Sequence, residues 1–194
     1  MIKKCAEAVS DWLINSGVIA ENERELYSYA SYSLFLSLSP LLLAFFFGFW
    51  MGEIEKSIVL VLPFVFIRKF CGGYHAKNEW SCLLESSLLL YLCIYISSKI
   101  SYDFYLAFLT LVSMVSIIIW SPIDSENRKL EDIEKKKYKS VTVLLTGLFG
   151  ILIIIFFLLG KQDTAICISI GIILTAGLQI PCVLKKLFKS VVHT

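Results

Sequence analysis

Apolar positions along the chain fall into two kinds of run. Over residues 1–20, Cys5, Ala8, Val9, Trp12, Leu13, Ser16, Ile19 and Ala20 recur at helical spacing. Lys3, Lys4, Glu7, Asp11 and Asn15 lie mostly on the opposite side. That pattern predicts an N-terminal amphipathic helix, lying on a membrane surface or packed on the rest of the protein. Six long apolar segments follow, at residues 26–50, 54–70, 81–98, 104–121, 141–159 and 164–184. A spanning helix needs about 20 apolar residues, with a range of roughly 17–25. The reading is therefore all-α: one membrane-embedded domain over residues 1–194, with six transmembrane helices preceded by the amphipathic helix. The second segment is short, contains Pro63 and closes on Arg68 and Lys69, and the third starts polar and carries Glu85. Such features are tolerated where protein, water or a site surrounds them.

Composition agrees with lipid as the solvent. The chain is 57% hydrophobic and 18% charged, against roughly 45–50% and about 25% for soluble domains. The placement of charge says more than its sum. With six spans, the N-terminal segment, the loops near 68–80 and 121–140 and the C-terminal tail share one side, which holds 15 Lys and Arg. The other side holds Lys56, Lys99 and Lys161, so the split is 15 to 3. The positive-inside rule then puts both termini in the cytoplasm of a multi-pass protein of a bacterial cell membrane. The acidic residues Glu7, Asp11, Glu21, Glu23 and Glu25 precede any long apolar run, so the N-terminus does not read as a signal peptide. The six cysteines form no CxxC pair and no disulfide framework, which suits a reducing, cytosol-facing setting.

Chemistry concentrates in one stretch, from Arg68 through Cys71, Gly72, Gly73, His75 and Asn78 to Cys82. Gly72 and Gly73 end the second span and admit backbone angles closed to other residues. His75 is one of two histidines, and the other, His193, is in the C-terminal tail. Asn78 is placed to cap the third helix, with Cys82 in its first turns. An imidazole and a helix N-terminus both lower a thiol pKa, so His75 and Cys82 form a candidate base and nucleophile. On one continuous helix their spacing of seven would separate the Cα atoms by about 10.5 Å. The glycine turn must therefore fold His75 back over the start of the third helix. Cys71 is a rival nucleophile without a helix-start setting. Cys71, His75 and Cys82 together have no familiar metal-ligand spacing. HExxH, GxSxG and P-loop patterns are absent. No metal, cofactor or nucleic-acid partner is expected.

At this loop the sequence resembles the accessory gene regulator B family, the AgrB peptidases of Gram-positive quorum sensing. The resemblance lies in the segment from Ile67 to Lys77 followed by Cys82, and in Ser121, Pro122, Ile123 and Asp124 with Asn127, Arg128 and Lys129 after the fourth span. It implies that Cys82 is the nucleophile and His75 the base, and that Arg68 and Gly73 occupy positions associated with activity. The implied substrate is an AgrD-like precursor peptide with an amphipathic N-terminal region, a central signal segment and an acidic C-terminal tail. Cleavage before the tail would leave a thioester on Cys82. An internal Cys or Ser would close a thiolactone or lactone from it, giving an autoinducing peptide. A homodimer and contact with membrane lipid are implied as well.

No third catalytic member is evident from the residues. Glu85 and Ser86 share the helical face of Cys82, while Asn78 and Glu79 suit caps or solvated positions. Lys135, Lys136, Lys137, Lys139, Arg128, Lys129 and Lys185 could attract an acidic tail and anionic lipid, although positive-inside topology accounts for most of them. Arg68 is the better candidate for a specific carboxylate contact. The competing class is a non-enzymatic membrane transporter or export channel for a peptide, which would tolerate loss of Cys82.

Overall fold

A computed structural model of the chain describes residues 2–72, 79–123 and 131–185, and only the backbone of Ile2, Ser33, Leu36, Ser37 and residues 79–83. The described residues form helices joined by turns and short connections, with no strand among them. The helices are α1 (Ile2–Asn15), α2 (Arg24–Met51), α3 (Ile54–Cys71), α4 (Glu79–Ser97), α5 (Phe104–Trp120), α6 (Asp132–Leu158) and α7 (Gln162–Gly177). After a turn at Leu178 and Gln179 the chain is helical again to Lys185. Each expected apolar segment overlaps one of α2–α7, but the sixth, expected unbroken over residues 164–184, is interrupted by the turn at Leu178 and Gln179 ahead of Pro181, which cannot continue the helix's bonding.

The pair α3 and α7 forms the centre, and α2, α4, α5 and α6 pack around it. Both contribute to each of two buried clusters. Leu60, Val61 and Phe64 of α3 meet Ile166, Cys167, Ile170 and Leu174 of α7 in the first, with Ala44, Leu90, Ile94 and Leu106 around them. Ile67 and Cys71 of α3 meet Ala165, Ile168, Ile172 and Ala176 of α7 in the second, with Ile117 and Ile153. The two helices approach closely because α7 has no side chain at their crossing. A Cβ at Gly171 would collide with the Leu60 carbonyl oxygen and stand 2.6 Å from Pro63 Cγ. Close approach of this kind maximises dispersion contacts, which drive helix association where lipid removes the hydrophobic contribution.

Large apolar side chains also cover much of the outside of the bundle. Leu144, Leu148, Ile151, Ile155 and Leu158 line an exposed face of α6, and Leu42, Phe45, Phe46, Phe49 and Trp50 are exposed on α2. Soluble monomers rarely show contiguous apolar surface of that extent. Among the described residues, two helices are long and apolar enough to cross a membrane, Asp132–Leu158 and Gln162–Lys185. Shorter apolar stretches fill Leu38–Met51, Leu84–Ser97 and Phe104–Trp120.

Two other helices also differ from the sequence reading. The first ends at Asn15 rather than running to residue 20. Gly17, at φ +69°, donates its N–H to the Ile14 carbonyl (2.9 Å), and Val18 donates to Leu13 (3.0 Å). These paired bonds close the helix in a left-handed turn that favours glycine. Its packed face also differs. Ala6 and Ser10, one turn apart and both small, are buried, whereas Cys5, Ala8 and Trp12 are exposed, Trp12 to 65%. Small residues let α1 lie close against α2, and the bulky indole cannot occupy that seam. Arg24 at the start of α2 adds an ion pair to Asp11 at 2.7 Å. Its guanidinium holds the Asp11 carboxyl below the ordinary carboxylate range. The fifth apolar segment, expected from residue 141, belongs to a helix that already begins at Asp132. Asp132 and Glu134 in its first turn complement the helix dipole, and Glu131 N–H bonds Glu134 Oε2 at 3.3 Å. Charged first turns carry no apolar signal, so hydropathy alone missed them.

Candidate functional site

The end of α3 is built to stop a helix. Arg68 and Lys69 lie in its last turn, where cations favour the negative end of the dipole. Gly72 follows at φ +73° and donates its N–H to the Arg68 carbonyl at 3.2 Å. That angle lies in the region only glycine enters without strain. The position is also crowded, since a Cβ at Gly72 would collide with the Ile123 carbonyl oxygen. Ile123 in turn donates its N–H to the Cys71 carbonyl at 2.9 Å. The segment leaving α5 is thereby fastened to the last residues of α3.

Three more contacts secure this end of the bundle. Gln179 Nε2 donates to Ser121 Oγ at 3.1 Å, in buried surroundings. Lys139 Nζ donates to the carbonyls of Ile118 and Ile119, the latter at 3.2 Å, and so caps the C-terminus of α5. Phe70 meets Tyr138 edge to face with ring centroids 5.7 Å apart, which sets the start of α6 beside the end of α3.

The expected site residues divide by what is described. His75 and Gly73 lie outside the described residues. Cys82 is described through its backbone alone, as the fourth residue of α4. Asn78, the expected cap, also lies outside. Arg68 is half-buried, with its guanidinium carbon 5.6 Å from the centre of the Phe64 ring. That spacing suits a cation over an aromatic face. Glu85 is exposed on α4 and Ser86 is half-buried. The rival thiol, Cys71, is fully buried and donates to the Gly72 carbonyl at 3.1 Å. Those surroundings suit packing better than attack on a peptide. Lys139, one of the basic residues expected to attract an acidic tail, commits its ammonium instead to the end of α5. Lys136 and Lys137 remain exposed.

Sequence reasoning passed over Gln179. A signal existed, since it is the one Asn or Gln within the six apolar segments. A polar side chain in an apolar span is a functional candidate in its own right.

With this geometry in place, comparison with known proteins assigns the family. Residues 6–181 match the family described as Accessory gene regulator B. The chain belongs to the accessory gene regulator B family. It is 27% identical over 135 residues to the accessory gene regulator protein B of Staphylococcus carnosus, covering 69% of each chain. It is 30% identical over 128 residues to the protein of that name from Staphylococcus aureus strain Newman, covering 64% of this chain and 65% of the relative. A putative AgrB-like protein of Clostridium acetobutylicum is 27% identical over 122 residues, covering 59% of this chain and 58% of the relative. No solved structure matches the chain. The family match encloses the end of α3, the start of α4, residues 121–123 and Gln179, so the contacts at this end of the bundle all fall inside it.

Proposed function

We propose that this chain is a membrane-embedded cysteine peptidase that removes the C-terminal tail of a short precursor peptide and promotes its cyclisation to a quorum-sensing signal. The observation that carries this reading is the position of Cys82 in the opening turn of α4, which begins at Glu79. The first N–H groups of a helix have no intrahelical partner and carry partial positive charge. A thiol there ionises more readily, and an imidazole nearby assists it. His75 follows Gly72 by three residues, and the left-handed backbone of that glycine ends α3 there.

In the proposed reaction His75 takes the proton from Cys82, and the sulfur attacks the carbonyl carbon before the acidic tail. Backbone N–H groups at the start of α4 are the natural donors for the oxyanion. As the intermediate collapses the C–N bond breaks, and the imidazolium returns its proton to the leaving amine. A Cys or Ser within the peptide then attacks the thioester, closes the ring and releases the Cys82 thiol. The half-buried Arg68 is the group offered to a tail carboxylate, while Glu85 and Ser86 lie one turn beyond Cys82.

The proposed setting is a bacterial membrane, with α2–α7 as six spans and both termini and Cys82 cytoplasmic. The exposed apolar faces of α2 and α6 and the 15-to-3 division of basic residues support it. Trp12 and its exposed neighbours would place α1 at the lipid surface. A homodimer is part of this reading.

Co-expression with a neighbouring short open reading frame, followed by mass spectrometry, tests the function. Wild type should yield a cyclic product and a free tail. Cys82→Ala and Cys82→Ser should yield neither at equal membrane abundance. Continued tail release from Cys82→Ala would favour a transporter and defeat the proposal.

A further inference from the structure

Helix α7 is interrupted where the sequence reads Gly177, Leu178, Gln179, Ile180, Pro181. Pro181 has no N–H for the Gly177 carbonyl, and its ring crowds that carbonyl. The backbone tightens in response. Gln179 N–H bonds the Ala176 carbonyl at 3.0 Å, and the N–H groups of Cys182 and Val183 both bond the Gln179 carbonyl, at 3.1 and 3.0 Å. At this turn the Gln179 side chain is 1% exposed. Its amide nitrogen donates to Ser121 Oγ, and the buried Cys71 thiol lies beside the same amide. Among the described residues, Gln179 Oε1 has no hydrogen-bond partner in its buried position.

Packing alone does not explain an amide here. Leu or Met would fill the space without burying an unsatisfied oxygen. What the amide does is hold. It fixes Ser121, the residue that ends α5, and two residues later Ile123 is bonded to the Cys71 carbonyl and seated against Gly72. An unbroken series of contacts thus runs from α7 through residues 121–123 to Cys71 and Gly72, the last described residues before His75.

We propose that Gln179 is a positioning residue for the peptidase reaction. Through Ser121 it holds residues 121–123 against the end of α3 and so fixes where the chain departs toward His75. The proposal rests on the Cys82–His75 reading above, and it makes Gln179 act through other residues rather than on the substrate. Displacing that departure point weakens the imidazole's hold on the thiol, and the protonation of Cys82 should report the change.

The test is the pH dependence of Cys82 alkylation by iodoacetamide, measured by peptide mapping on the full chain in lipid nanodiscs. Wild type should alkylate with a midpoint below that of an ordinary thiol, and His75→Ala should move the midpoint up. Gln179→Met keeps the volume and removes the amide. It should shift the midpoint toward that of His75→Ala and slow alkylation at neutral pH by about tenfold, equivalent to one pH unit. Ser121→Ala should shift in the same direction, while Ser121→Thr, which keeps the hydroxyl, should stay at the wild-type midpoint. A wild-type midpoint in folded Gln179→Met overturns the proposal. Should Gln179→Met fail to fold, the Ser121 pair decides, and an unshifted Ser121→Ala overturns it. Failure of the underlying catalytic reading looks different: wild type and His75→Ala would share one midpoint, which overturns both.

Discussion

The two ends of the α3–α7 pair are finished in opposite ways. At one end the helices are joined by short turns. Gly52 and Gly160 close α2 and α6 with the same left-handed turn that ends α1. Asp103 caps α5 by accepting the Leu106 N–H at 2.9 Å, and Lys56 sits between Glu53 and Asp163, 3.4 and 3.3 Å away, joining the starts of α3 and α7. At the other end the connections are longer, and the fastenings are hydrogen bonds to backbone and amide groups: Gln179 to Ser121, Ile123 to Cys71, and Lys139 to the end of α5. Short turns leave few residues for chemistry. The end with longer connections has residues to spare, and there the bundle fixes the described residues from which those connections depart. Of the expected site residues, Arg68 and the backbone of Cys82 are described at that second end.

A change on the shared axis should erase this difference. Gly171→Val puts branched carbons against the Leu60 carbonyl and Pro63, neither of which can swing aside. Overpacking of this kind costs about 1–3 kcal/mol or more, and folded protein should fall sharply in detergent thermal-shift measurements. Gly72→Ala should act on one end only. It forces a side chain into a left-handed angle and against Ile123, a strain of about 1–3 kcal/mol, and tail release should fall further than membrane abundance does. Lys139→Met removes the cap on α5 at a cost of about 0.3–2 kcal/mol. Faster hydrogen exchange in the last turn of α5, with α4 unchanged, is the expected sign. Lys56→Met sharpens the comparison from the opposite end. Its ion pairs reach partly exposed acids, so the loss should stay below about 1 kcal/mol, with tail release unaltered.

Hydropathy made the helix positions legible because each apolar run is long and bounded by charge or glycine, as at Gly52, Asp103 and Gly160. It could not show the first turns of α6, whose residues are polar and form a helix through their caps. Nor could it choose the packed face of α1, where the size of Ala6 and Ser10 outweighed the hydrophobicity of Trp12. The stretch from Gly72 to Cys82 stood out because rare residue types, a glycine pair and a single histidine, cluster there. Gln179 and Ser121 did not stand out, because their meaning comes from a contact 58 residues apart in sequence. No local pattern carries that contact. Lys139 shows the converse, a charge whose partner carbonyls on α5 are invisible in composition.

The central claim is that Cys82 carries the acyl group. Wild type and the Cys82→Ala and His75→Ala variants can be co-expressed with the precursor, quenched in acid, digested and mapped by mass spectrometry. The account predicts a peptide adduct on Cys82 in the wild type, released by hydroxylamine, absent from Cys82→Ala and scarcely formed in His75→Ala. An adduct on Cys71, or tail release that persists in Cys82→Ala, would contradict it.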